Sequence, residues 1–128
     1  MAPSTHYYLD CGYGNQYGKP SWCGGMKSWR EIWNLDPHIY VQNGNEDQVL
    51  GGEVCMWSEM NNEHNVSTKL FPRAAAMAFR HWSPKKDYNQ GQAMEMIIRF
   101  EYRLKRRGLP TEQTTMRFCE KHLHRCFG

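Results

Sequence analysis

The sequence predicts an α/β chain made of βα units that belong to a parallel sheet, and three observations carry that expectation. Two short β-type runs, HYYLD at His6–Asp10 and VLGGEVCMW at Val49–Trp57, are each followed by segments of helical character. The resulting order is strand, loop, helix, strand, helix, helix, the alternation of a parallel sheet covered by helices. Val54, Cys55 and Met56 form a continuous apolar run, as expected of a strand buried on both faces. Two strands cannot bury their faces alone, so the pattern points to part of a larger sheet.

The elements follow in chain order. HYYLD ends in a carboxylate and leads into CGYGNQYGKPSWCGG, Cys11–Gly25, a long loop dense in glycine and aromatic residues. Ser28-Trp29-Arg30-Glu31 fits a capping box, with the Ser28 hydroxyl able to accept from the Glu31 amide and the Glu31 carboxylate able to reach back. A short helix through Ile32 and Trp33 is expected to follow and to end at Asp36-Pro37. A polar loop with Gly44, Asn45, Glu46 and Asp47 then leads to the second strand, whose paired Gly51 and Gly52 allow close backbone approach to a neighbour. NNEHNVSTK, Asn61–Lys69, reads as polar and irregular. Pro72 is placed to open a helix at its first position, and AAAMAFRHW stops before Pro84. From about Gln92 to Arg107, Ala93, Ile97, Phe100 and Leu104 form one apolar stripe; Lys105, Arg106 and Arg107 suit the last turn and Gly108 the C′ stop.

Length and composition bound the function. A chain of 128 residues suffices for one modest domain. Aromatic residues make up 13%, with five Trp and seven Tyr in an otherwise polar chain, a balance that suits stacking on sugar C–H faces. The net charge of +3 comes mainly from late basic residues, among them Arg103, Lys105, Arg106, Arg107, Lys121 and Arg125. A mild excess of that kind is a solvated helix face, not a nucleic-acid footprint. No run approaches a membrane span, and Met1-Ala2-Pro3-Ser4 lacks the charged start and apolar core of a signal peptide.

Five cysteines are an odd count. Cys11 and Cys23 bracket the aromatic loop, Cys119 and Cys126 bracket a short polar segment, and both pairs look like local staples of an oxidising compartment. Cys55 is left over as a buried free thiol. A zinc reading of Cys119, His122, His124 and Cys126 stands beside this, although the spacing is tighter than that of ordinary fingers. Asn65-Val66-Ser67 is a glycosylation sequon, in keeping with a secreted or lumenal chain that carries no address of its own and looks truncated.

The candidate site residues lie at the strand ends. Residues i and i+2 of a strand share a face, so Trp57 and Glu59 would present an indole and a carboxylate at one place, a common way to build a sugar pocket. Tyr8 and Asp10 repeat the arrangement on the first strand. The plainer alternative is a Trp filling a core edge beside a solvated Glu. Glu46 and Asp47, adjacent on a polar loop without an aromatic wall, are read as solvated charges.

YYLDCGYG, a Trp next to a Cys about a dozen residues on, GGEVCMWSE and FPRAAAMAFRHW, in that order, resemble the C-terminal part of the family 20 β-N-acetylhexosaminidases, in the style of the arthropod chitin-processing members. The resemblance runs from about His6 to Cys126. It implies a fragment of a (β/α)8 TIM barrel with these segments as its seventh and eighth strands. Residues 1–107 would be partial catalytic barrel and 108–128 a C-terminal disulfide-stapled tail. By the resemblance Tyr8 donates to the acetamido carbonyl of the substrate, Asp10 binds outer hydroxyls near O6 and O4, Trp57 walls the sugar and its acetamido group, and Glu59 accepts from ring hydroxyls. Trp22 matches a loop Trp that stacks on the next sugar, with packing against a Cys11–Cys23 staple as its alternative.

The chemistry implied is substrate-assisted and retaining: the 2-acetamido oxygen attacks the anomeric carbon, an Asp orients it and a neighbouring Glu protonates the leaving oxygen. Both acids sit in a His-x-Gly-Gly-Asp-Glu run that these 128 residues do not contain, and Glu46-Asp47 stands in the wrong order on the wrong loop. No cofactor is implied. The expected partners are oligosaccharides or glycoconjugates bearing N-acetylhexosamine, with a homodimer possible for the longer protein, and the expected location is lysosomal or extracellular. A second departure is Phe79, where the family reads Glu in Ala-Glu-Arg-x-Trp; its loss is expected to unpair Arg80 or a neighbour. The competing classes are a non-catalytic remnant that binds sugar weakly or associates with other chains, and a small zinc or nucleic-acid module.

Overall fold

The computed structural model describes residues 7–10, 25–41, 46–83, 88–122 and 125. Two strands, β1 (Tyr8–Leu9) and β2 (Cys55–Met56), pair in parallel with Tyr8 opposite Cys55 and Leu9 opposite Met56. The parallel sense agrees with the βα reading. The second strand is much shorter than Val49–Trp57, and Val54, Cys55 and Met56 are half-buried instead of fully buried. Among the described residues the sheet has two strands, and β1 is the described neighbour of β2.

Five α-helices accompany this pair among the described residues: α1 (Trp29–Asn34), α2 (Val66–Leu70), α3 (Arg73–Trp82), α4 (Gln90–Arg106) and α5 (Arg117–Lys121). Helix α1 forms because its capping box closes: the Glu31 amide donates to Ser28 Oγ at 3.2 Å and the Ser28 amide donates to Glu31 Oε2 at 2.7 Å. The Ser28 amide and then the Ser28 hydroxyl, both donating to Glu31 Oε2, hold the Glu31 carboxyl below its ordinary value. Asn89 and Gln92 close a second box at the start of α4. At its other end Gly108, at φ 77°, supplies the left-handed stop, its amide donating to the Lys105 carbonyl.

Helix α3 begins one residue later than expected, with Pro72 as its cap. Helices α2 and α5 fall where no helix was expected. Asn62 and Asn65 account for α2: Asn62 Oδ1 accepts from the His64 and Asn65 amides, and Asn65 Oδ1 accepts from the Asn62 amide, which closes the turn that α2 continues.

The core lies between the sheet and α1, α3 and α4. Leu9, Ile32, Trp33, Ala75, Ala76, Met77, Ala93 and Ile97 are buried in it, and α1 packs chiefly on α3, whose small Ala75 and Ala76 permit the approach. Phe79 corrects one expectation. Instead of leaving a gap where the family has an acid, its ring packs edge-on against Phe100 at 5.7 Å and tilted against Trp33 at 6.4 Å. Arg80 is not left unpaired by the change and lies in the electrostatic neighbourhood of Asp36, Tyr7 and His81.

The segment after Gly108 returns to the body. Ser67 Oγ donates to the Pro110 carbonyl at 2.7 Å, the Glu112 amide donates to the Phe71 carbonyl at 3.1 Å, and Thr114 Oγ1 donates to Glu101 Oε2 at 2.6 Å. Glu101 is 2% exposed and takes a second bond from Lys105 Nζ, so this buried carboxylate is satisfied on both oxygens. It lies four residues after Ile97, within the apolar stripe, where the hydrophobic pattern alone conceals it.

Candidate functional site

The C-terminal ends of β1 and β2 lie side by side because the strands are parallel and in register. Tyr8 and Trp57 meet there, their rings stacked at 6.3 Å with planes 18° apart. Trp57 is 61% exposed. A large apolar ring held flat against a second ring yet open to solvent forms a platform, the geometry that sugar C–H faces require. Burial first, then the Glu59 carboxylate and the Cys55 thiol, raise the Tyr8 phenol above its ordinary value.

Glu59 approaches Tyr8 by a route other than strand alternation. Pairing stops at Met56, and Ser58–Met60 form a 3-10 turn with Trp57 as its cap. The turn is braced by the Asn61 side-chain amide donating to the Trp57 carbonyl. Trp57 and Glu59 thus do not share a strand face as the i, i+2 argument held; a tight turn carries the exposed carboxylate instead.

Asp10 also departs from the strand pattern. Its φ of 54° turns the chain out of β1, and its two oxygens accept from Arg73 Nη1 at 2.6 Å and Nη2 at 2.8 Å. Arg73 comes from the first turn of α3, where a cation opposes the helix dipole, and sequence reasoning missed it. That unfavourable placement was the available signal, since such a cation needs an anion close by.

The opposite, N-terminal end of the sheet is built differently. Tyr7 is buried and its hydroxyl lies 3.2 Å from His81 Nε2. A Cβ added to Gly52 would meet both rings at 3.2 Å, so the close approach expected of the glycine pair belongs to Gly52, while Gly51 supplies the φ of 151°. Burial drives the Tyr7 phenol up to about 12, the nearby Arg80 opposing and Asp36 adding to it. Burial lowers His81, helped by His38 and Arg80. Asp36, His38, Arg80 and His81 line an open cleft of about 150 Å³ here, with Asp36 bonded to the His38 amide and ring.

Of the remaining sequence-stated residues, Asn65 is half-buried and its side-chain amide donates to the Met60 carbonyl at 3.3 Å. Cys119 is buried and held in a disulfide. Cys55 is a free thiol, half-buried and not fully buried as expected. Asp47 is exposed. Trp22, Cys11, Cys23, His124 and Cys126 lie outside the described residues. Among the described residues no group of His, Cys, Asp or Glu is placed to hold a metal, and no helix is long and apolar enough to cross a membrane.

Residues 1–85 match the family described as "Glycosyl hydrolase family 20, catalytic domain", and the chain belongs to that family. It is 33% identical to the "Chitooligosaccharidolytic beta-N-acetylglucosaminidase" of Ostrinia furnacalis, over 94% of this chain and 20% of that protein. It is 29% identical to the "Beta-hexosaminidase" of Emericella nidulans over 98% of this chain and 25% of that protein. With the "Beta-hexosaminidase subunit beta" of Felis catus the identity is 31% over 91% of this chain and 20% of that protein. The chain thus spans about a fifth to a quarter of the length of these relatives.

Proposed function

We propose that this chain supplies one wall of the sugar pocket of a β-N-acetylhexosaminidase, with β1 and β2 as the seventh and eighth strands of a (β/α)8 barrel. The observation that carries the reading is the stacked Tyr8–Trp57 pair, open to solvent at the C-terminal end of two parallel strands, in a chain of this family. Active sites of such barrels are built at that end. The reaction would be removal of terminal β-linked N-acetylglucosamine or N-acetylgalactosamine by substrate assistance and with retention.

Each residue then has a task. Trp57 stacks on the sugar, and Glu59 accepts from ring hydroxyls, leaving itself unpaired when an epimer misplaces one. Tyr8, a neutral phenol at and below neutral pH, donates to the acetamido carbonyl and so aligns the oxygen that attacks the anomeric carbon. Asp10 reads the outer hydroxyls and Trp22 the next sugar. Disulfides Cys11–Cys23 and Cys119–Cys126, a glycan at Asn65 and a lysosomal or extracellular location complete the reading. It is supported by the disulfide state of Cys119 and the sequon.

The 128 residues hold neither the general acid nor the acetamido-orienting Asp. The purified chain is therefore expected to bind N-acetylglucosamine weakly and not to hydrolyse a chromogenic N-acetylglucosaminide above background, since protonation of the leaving group alone is worth roughly 10²–10⁴-fold. Turnover by this chain, abolished by Glu59→Gln, would overturn the assignment of roles. A second reading, association with other chains without catalysis, draws on Trp82, which is 88% exposed beside an apolar groove of Phe79, Phe100 and Leu104.

A further inference from the structure

We propose that Arg73 is a positioning residue that locks the carboxylate plane of Asp10 and thereby sets which sugar epimer the pocket prefers. The proposal rests on the sugar-pocket reading of Asp10. The guanidinium meets the carboxylate fork to fork, through Nη1 at 2.6 Å and Nη2 at 2.8 Å. Its own orientation is fixed from two further directions. Nε donates to the Lys69 carbonyl at 2.7 Å and Nη1 also donates to the Lys27 carbonyl at 3.3 Å. Arg73 thus joins the end of β1, the end of α2 and the segment before α1. The side chains are 4% and 9% exposed, so water does not loosen the pair.

Asp10 itself stands at φ 54°, the one described residue other than glycine with a positive φ. Backbone strain of this kind persists where surrounding contacts impose it, and here the Arg73 fork is such a contact. Each carboxylate oxygen spends one lone-pair direction on Arg73 and keeps another, now fixed in space. A carboxylate free to rotate would follow a hydroxyl to either epimeric position. One clamped in plane accepts from a hydroxyl in one position and is left unpaired by the other. Lys in place of Arg would keep the charge but offer a single point donor, leaving the plane free.

The test compares N-acetylglucosamine with N-acetylgalactosamine, titrated calorimetrically into the chain, Arg73→Lys, Asp10→Asn and the double variant, each checked for fold by thermal unfolding. The expected result is that Arg73→Lys reduces the preference between the two sugars by roughly tenfold, the scale of one charged hydrogen bond. It should have no further effect in the Asp10→Asn background. Equal weakening of both sugars by folded Arg73→Lys, or an unchanged ratio, would mean a purely structural role and would overturn the proposal while sparing the sugar pocket. Should Arg73→Lys not fold, Arg73→Gln, which loses the two-pronged donor, reads the same ratio: a reduced preference supports the proposal, an unchanged one overturns it. No binding of either sugar by the unsubstituted chain would overturn the pocket reading and this proposal with it.

Discussion

Tyr7 and Tyr8 are neighbours in sequence and opposites in use. Tyr7 is 2% exposed, packed against Gly52 and His81, with its phenol driven up to about 12 by burial. Tyr8 faces the other way, stacks on an exposed Trp57, and is raised by partial burial together with a carboxylate, Glu59. Tyr7 stands just before β1 and packs into the core, whereas Tyr8 is the first residue of the strand and lies beside Trp57. The difference between the two is exposure of the surroundings, not the shift, since burial is the leading cause for both phenols and charged groups act on both. Tyr7 shows the same direction of shift from a core position.

The largest expected difference is in stability. Tyr7→Ala should cost about 3–5 kcal/mol, the range for removing a buried aromatic ring, and Tyr8→Ala much less; urea titration compares them directly. Next comes Gly52→Ala. Its Cβ would press on Tyr7 and His81 at 3.2 Å, and a loss of about 1–3 kcal/mol is expected from overpacking. Equal losses for Tyr7→Ala and Tyr8→Ala would erase the contrast between the two faces.

A smaller effect should appear in the pH dependence. The folded pKa of His81 lies below its unfolded value, so the unfolded chain takes up the proton first. The contribution of His81 is then full above about 6.5 and is lost as pH falls toward the folded pKa. Tyr7 has the opposite sign: its phenol is raised, so stability is lost as pH rises from the ordinary value of 10.0 toward about 12. Thermal unfolding across pH should show both limbs, and His81→Gln should flatten the acid one. The smallest change belongs to Tyr8→Phe, which should leave stability within about 0.5 kcal/mol while weakening sugar binding, a split that separates ligand contact from packing.

Much of this was legible in the sequence wherever the cause was local. The capping box at Ser28 and Glu31, the α4 stripe and the Gly108 stop each rest on residues within a few positions of one another. The parallel sense of the sheet followed from element order. What escaped was set by tertiary contact. Arg73 reaches Asp10 across 63 positions of sequence, and no periodicity encodes that pairing. Glu59 was expected on a strand face, but β2 stops at Met56, opposite the last residue of β1, and a 3-10 turn carries the carboxylate instead. The helix α2 was hidden by its own composition: Asn62 and Asn65 read as loop formers, yet their side chains build the turn from which the helix grows.

The division between the two tyrosines is tested most directly by nuclear magnetic resonance of the carbon- and nitrogen-labelled chain titrated with N-acetylglucosamine. Saturating shifts at the Trp57 indole and the Tyr8 ring, with Tyr7 and His81 unmoved, are the expected result. No shift at Trp57, or shifts of equal size at Tyr7 and His81, would contradict a sugar platform at the C-terminal end of β1 and β2.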